Sequence, residues 1–137
     1  MKIGTLKETF EDEQRVALTP ESALQLKKLG HECIIEKGAG LASGFNDAEY
    51  KSVGVAIAPS AAAVTKASDI ITKVRPPTAI EIKRLTASKT LISFFYPSSN
   101  DELLELSRAR SANIIAMDMV PRISRAQKMD ALSSMAN

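Results

Sequence analysis

The chain has 137 residues, 45% hydrophobic and 25% charged, with a formal net charge of +2. This length suits one domain that buries roughly two-thirds of the surface exposed by its unfolded chain, and the near-neutral balance leaves no footprint for a polyanionic partner. Nucleic acid is set aside for a second reason: Trp is absent, and Tyr50, Tyr96 and the four Phe are not interleaved with Lys and Arg as a base-stacking surface requires.

Short apolar runs alternate with helical patterns along the whole length, the mark of a mostly parallel sheet with helices on both faces. Ile3 to Leu6 predicts the first strand, entered directly from Met1-Lys2 with no signal-peptide stretch before it. Thr19-Pro20-Glu21 opens a helix that should stop at Gly30, with Lys27 and Lys28 suited to its carboxyl end. His31 to Glu36 predicts the second strand, and it holds the single cysteine, Cys33, as a buried, unreactive thiol with no partner for an internal disulfide. A reducing compartment follows. After Gly38-Ala39-Gly40, Asn46-Asp47-Ala48-Glu49-Tyr50 starts a helix ending near Gly54, and Val55 to Ala58 is a short strand. Ser60 to Ala67 is helical, and Asp69 to Val74 is a strand closed by Pro76-Pro77. Thr78 with Glu81, and Ser99 with Glu102, read as capping boxes for two further helices. Between them Thr90 to Tyr96 is the most hydrophobic strand, and Asn113 to Met117 is the last. The result is a doubly wound α/β fold of about six strands, Rossmann-like or flavodoxin-like, spanning residues 1–137 as one unit. No run approaches the ~18 apolar residues of a membrane helix, so the segment is expected to be soluble in itself. Met129 to Asn137 reads as a helix still in progress, which predicts that a larger protein continues beyond it.

The chemistry-bearing patterns are few. Gly38-Ala39-Gly40 follows a strand as a dinucleotide fingerprint does, but Ser43 stands at the third glycine position and no acid follows the next strand, so a plain turn competes with cofactor binding. One histidine, His31, and no cluster at metal-ligand spacing argue against a metal and against Ser-His-Asp chemistry. Glu11, Asp12 and Glu13 read as a solvated patch rather than a general acid and base. Val120 to Asn137 is different. It follows the carboxyl end of the last strand, where open α/β sheets place ligands, and gathers Arg122, Ser124, Arg125, Gln127, Asp130 and Ser133 on a Pro-initiated turn and the start of a helix. Guanidiniums offer forked donors to phosphate or an amide carbonyl, while Gln donates and accepts. On residues alone, a solvated loop before a capped helix remains open beside ligand binding.

That segment closely resembles the signature of the NAD(H)-binding (alpha) component of proton-translocating NAD(P) transhydrogenases, with Arg122, Gln127 and Asp130 at its Arg, Gln and Asp positions. The resemblance extends through Lys2-Ile3-Gly4, Glu13-Gln14-Arg15-Val16-Ala17-Leu18-Thr19-Pro20, Gly38-Ala39-Gly40 and Lys73-Val74. It implies hydride transfer from NADH on this component to NADP on a partner, coupled to proton translocation. The partners it implies are an NADP-binding beta subunit or domain and a membrane domain, with a homodimer and a place at the cytoplasmic face of the inner membrane. Arg122 and Asp130 would fix the nicotinamide end of NAD(H), with Ser124, Arg125 and Ser133 in the same cofactor site, and Gln127 would face the second nucleotide as the catalytic-site residue. The dinucleotide-binding domain of that architecture is absent from this chain, so weak NADH binding and exposed apolar surface are expected.

Alanine dehydrogenases are related and similar over Arg15-Val16-Ala17-Leu18-Thr19-Pro20. Their pattern implies a Lys two residues beyond Lys73 and a His at the end of the penultimate strand; this chain has Arg75 and Tyr96. Without that imidazole, keto-acid chemistry loses its acid and base. Arg15, Lys73 and Asp118 are then expected to be structural or pocket-lining groups. A non-catalytic interaction module is the third possibility.

Overall fold

The computed structural model describes residues 1–119. It contains β1 (Lys2–Thr5), α1 (Pro20–Lys28), β2 (Glu32–Glu36), α2 (Asp47–Ser52), β3 (Ala56–Ala58), α3 (Ala61–Ala67), β4 (Ile70–Thr72), α4 (Ala79–Lys83), β5 (Thr90–Ser93), α5 (Asp101–Ala109) and β6 (Asn113–Ala116). All six strands are parallel, in the order β3-β2-β1-β4-β5-β6. The Rossmann-like expectation holds, and the carboxyl ends of β1 and β4 mark the point where the order reverses.

Right-handed crossovers put helices of the two halves on opposite faces. On the α1–α2 face, Ile3, Cys33 and Ile35 pack with Leu18, Ala23, Tyr50 and Val55. On the α3–α5 face, Leu6, Ala58, Ile71 and Leu91 pack with Val64 and Leu85. The close seat of α3 on β1 depends on Gly4, where a Cβ would fall 2.1 Å from Ser68 Oγ and 2.6 Å from Val64 Cγ1. On the α1–α2 face, α1 packs on β2 and α2 on β3, leaving no helix of the described residues over Ile92 and Ile115; Ile115 is 49% exposed.

Local signals set the helix starts. Thr19, Asn46 and Thr78 each accept from the backbone three residues on, completing capping boxes, and Ser60 caps α3. Leu29 closes α1, and Gly30 follows at φ 91°. The Ser99–Glu102 box does not form. Ser99 lies in a 3₁₀ turn, Pro97–Ser99, and α5 starts after Asn100, whose side-chain amide donates backward to the Phe95 and Tyr96 carbonyls. Two strands end earlier than their apolar runs suggest, β4 at Thr72 rather than Val74 and β5 at Ser93 rather than Tyr96. Backbone pairing runs one step further, from Lys73 N to the Ile92 carbonyl and from Phe94 N to the Val74 carbonyl, and carboxylates then take the donors that follow. Glu8 accepts from Val74 and Arg75, and Asp118 accepts from Phe95 and Tyr96. Among the described residues no helix is long and apolar enough to cross a membrane.

Tyr50 is fully buried, and its hydroxyl donates to the Leu18 carbonyl at 2.7 Å, tying α2 to the segment before α1. Burial, with the Glu49 and Asp47 carboxylates nearby, pushes its pKa up to about 12. Tyr50→Phe leaves that carbonyl without its partner and should cost about 1–3 kcal/mol in urea denaturation; an unchanged midpoint would mean that water replaces the hydroxyl freely.

Candidate active-site crevice at the switch point

Parallel sheets of this order open a crevice beyond the carboxyl ends of the strands flanking the reversal. Here those ends are joined by Glu8. Its Oε2 accepts from Val74 N and its Oε1 from Arg75 N, both at 2.9 Å, so one carboxylate fastens the chain after β1 to the chain after β4. Burial raises the Glu8 pKa more than those two bonds and nearby Lys73 lower it. Asp118 does the same for the ends of β5 and β6, accepting from Phe95 N at 2.7 Å and Tyr96 N at 3.0 Å. Tyr96 sits at φ 51°, a left-handed conformation a tyrosine rarely takes. The Asp118 bonds, the Asn100 amide bond to the Tyr96 carbonyl at 3.1 Å and a parallel stack on Phe94 with centroids 5.7 Å apart hold it there. Strain maintained by this many contacts is characteristic of a functional site.

Two guanidiniums reach the crevice. The Arg75 guanidinium lies 3.8 Å from the Phe10 ring centroid, in cation–π geometry. Its Nε is buried and has no hydrogen-bond partner among the described residues. Phe10, Arg75, Pro76, Tyr96, Asn100 and Leu103 line a cavity of ≈ 350 Å³. Arg15 forms a forked pair with Glu13, Nε to Oε2 at 2.9 Å and Nη2 to Oε1 at 2.7 Å. The bonds from Arg15 hold the Glu13 carboxyl down at about 2, so the pair stays charged wherever the protein is folded near neutrality. Arg15, Glu8 and Glu13 line an adjoining cavity of ≈ 230 Å³ with Gly38 and Ala39.

Gly38-Ala39-Gly40 is a turn. The Gly38 N–H is taken by Asp47 Oδ1 at 3.0 Å and the Ala39 N–H by the Glu36 carbonyl at 3.0 Å. A three-residue 3₁₀ helix, Leu41–Ser43, follows, rather than a long helix whose amino end could face phosphate. Gly40 is needed for packing, since a Cβ there would fall 2.6 Å from the Tyr50 ring and hydroxyl.

The structure brings together Arg15, Lys73, Arg75, Tyr96 and Asp118 at one end of the sheet and puts His31 at the other, beside the start of β2. Lys73 and Asp118 are structural, as expected. Cys33 is buried, and burial raises its thiol pKa. Glu8 and Phe10 carry no local signal: Glu8 acquires its role only because β1 and β4 are neighbours, 66 residues apart in sequence at Val74. Arg122, Ser124, Arg125, Gln127, Asp130 and Ser133, like the helix expected over Met129 to Asn137, lie outside the described residues. The described chain stops at Met119, just past the carboxyl end of β6 and on the crevice side of the sheet.

Lys73 is 2.9 Å from Glu81 Oε1, with side-chain exposures of 2% and 9%. Its ammonium also reaches the Pro76 carbonyl, and Glu81 Oε1 accepts from Thr78 N. Lys73→Met should therefore cost about 3–5 kcal/mol by stranding a buried carboxylate, and Glu81→Leu in the same chain should recover much of it. A single substitution costing under about 1 kcal/mol would place the pair in effective contact with solvent.

The family described as "Alanine dehydrogenase/PNT, N-terminal domain" matches residues 4–137. A relative named NAD(P) transhydrogenase subunit alpha, from Cereibacter sphaeroides, is 62% identical over 137 residues, which is 100% of this chain and 26% of that protein. The crystal structure of transhydrogenase from Sinorhizobium meliloti superposes with a TM-score of 0.92 at 38% identity, covering 99% of this chain and 40% of that one. A structure of L-alanine dehydrogenase superposes with a TM-score of 0.85 at 30% identity, covering 91% and 34%. The chain thus spans between about a quarter and two-fifths of the relatives it matches. Sheet order, crevice and family match agree, and the chain belongs to the alanine dehydrogenase/PNT N-terminal domain family.

Proposed function

We propose that residues 1–137 serve as the N-terminal α/β domain of the NAD(H)-binding component of a proton-translocating transhydrogenase, with the dinucleotide-binding domain elsewhere in the parent protein. One observation carries the choice over amino-acid oxidation. The chain's single histidine lies at the amino ends of the strands, so the chain supplies no imidazole to the crevice. Lys73 is bound to Glu81, and Glu8 is held by two backbone donors, so neither is placed to relay protons to a keto acid. The 62% identity to a transhydrogenase alpha subunit across the whole chain supports the same choice.

The crevice fits the nicotinamide end of a nucleotide and the Gly38 turn does not fit its pyrophosphate. The Arg75 guanidinium, which lines the cavity and makes no carboxylate ion pair among the described residues, suits a carboxamide oxygen, and the half-exposed Phe10 ring beneath it offers an apolar flank. At the turn, Asp47 and Glu36 already occupy the donors of Gly38 and Ala39. NADH, when bound, supplies the hydride. The chain positions it: Arg122 and Asp130 hold the nicotinamide end, Ser124, Arg125 and Ser133 line the same site, and Gln127 faces the NADP(H) held by the partner component. Near-attack placement, on the order of 3 to 3.5 Å between reacting atoms, and limited water are the domain's contributions. The parent component pairs with an NADP-binding beta subunit or domain, works as a homodimer, and meets a membrane domain at the cytoplasmic face of the inner membrane.

In the assembled complex, Arg122→Ala and Gln127→Ala should each slow hydride transfer from NADH to an NADP analogue about a hundredfold, or about 2.7 kcal/mol of transition-state stabilisation, with folding intact. Wild-type rates in both variants would make the segment a structural loop. Reduction of a keto acid by the wild-type protein would favour the alanine dehydrogenase chemistry instead.

A further inference from the structure

The chain leaving β1 is pinned from both sides. Leu6 N donates to the Thr72 carbonyl at 3.2 Å, extending the β1–β4 pairing by one step. Lys7 N donates to Glu36 Oε1 at 3.0 Å, at the end of β2. The Glu8 carboxylate then takes Val74 N and Arg75 N together, on the chain leaving β4. Phe10 follows on the same loop, its ring 56% exposed and its centroid 3.8 Å from the Arg75 guanidinium. Both halves of that contact are therefore placed by one carboxylate. Phe10 is placed through the backbone of Glu8, and Arg75 through the N–H that Glu8 accepts.

Two N–H donors need two acceptor oxygens, and the ionised carboxylate supplies both. Protonation turns one oxygen into a hydroxyl, which accepts more weakly and has to point its hydrogen away from the N–H it faces. Glu8 is half-buried, so solvent protons reach it, and burial raises its pKa despite the two backbone bonds. Of the charged groups around it, Lys73 favours the ionised form and Glu81 on α4 opposes it. Arg15 attracts it across the adjoining cavity, which Lys7 and Glu13 also line. We infer that Glu8 is a positioning residue for hydride transfer: its ionised carboxylate keeps Phe10 and Arg75 in register, and so fixes how the crevice presents the nicotinamide. This role rests on the crevice being the nicotinamide site. Glu8 touches no reacting atom. The hydride leaves NADH, which is oxidised, and reaches NADP, which is reduced, and no proton passes to or from Glu8 in that step.

The test is the rate of hydride transfer at saturating NADH, measured from neutral pH downward in the full-length component assembled with its NADP-binding partner. Glu8→Gln keeps the length of the side chain but turns an amide N–H toward a backbone donor. It should slow transfer about tenfold at neutral pH and should lose the fall in rate that the wild type shows as Glu8 takes up its proton. Glu8→Asp keeps the charge but is one methylene too short to hold both donors, so it should slow transfer by a similar factor and keep an acid limb. Arg75→Met, run alongside, should be slow as well. Wild-type rates in folded Glu8→Gln and Glu8→Asp, with Arg75→Met slowed, would overturn the inference and leave the nicotinamide site standing. Wild-type rates in all three would remove the nicotinamide from the crevice, and the role of Glu8 with it. An acid limb in Glu8→Gln identical to the wild type's would also overturn the inference. Should Glu8→Gln not fold, Glu8→Asp decides by its rate alone: slow transfer supports the positioning role, and wild-type transfer refutes it.

Discussion

The Glu8 carboxylate, set across the reversal of strand order, is the interaction on which the crevice depends. Parallel strands leave their last backbone donors without partners where the ladder stops, and an open crevice can form only if something other than a further strand satisfies them. Glu8 does this for Val74 and Arg75, and Asp118 does it for Phe95 and Tyr96. Each carboxylate stops the ladder and turns the chain. As a result, Arg75 is delivered onto the Phe10 face and Tyr96 is held in its left-handed conformation. The groups lining the cavity are therefore positioned by backbone–carboxylate bonds rather than by one another.

This arrangement separates structural charge from available charge. Lys73 spends its ammonium on Glu81 and the Pro76 carbonyl. Arg15 is forked onto Glu13. Arg75 Nε has no hydrogen-bond partner among the described residues. Of Arg15, Lys73 and Arg75, only Arg75 makes no carboxylate ion pair among the described residues, and it lies on the Phe10 face in the cavity wall. A fixed donor of this kind orients a neutral or anionic ligand group without taking part in proton transfer, as direct hydride transfer between two nicotinamides requires.

Features set by neighbours in sequence were legible; those set by neighbours in space were not. The helix starts at Thr19, Asn46, Ser60 and Thr78 follow from side chains within three residues of the bond they make. The failure at Ser99 has the same root. A capping box is there to be read, but Asn100 is drawn to the Phe95 and Tyr96 carbonyls by the tertiary turn at the end of β5. The strand ends are not legible because hydrophobicity runs on past the point where carboxylates from 66 and 23 residues away take the Val74 and Phe95 backbone donors. Gly38-Ala39-Gly40 could be judged a turn from its broken spacing, and the occupied donors supply the physical reason. The Arg122 to Ser133 assignments come from family resemblance, because the same residues in isolation fit a solvated loop equally well.

The most direct test of the crevice as the nicotinamide site is intermolecular NOE spectroscopy on the full-length NAD(H)-binding component with NADH. The account predicts contacts from the nicotinamide ring protons to the Phe10 and Tyr96 rings and to the Arg75 side chain, and none to the His31 imidazole at the far end of the sheet. Bound NADH whose nicotinamide protons show no contact with Phe10, Arg75 or Tyr96 would contradict it, and would make the Glu8 clamp a feature of folding alone.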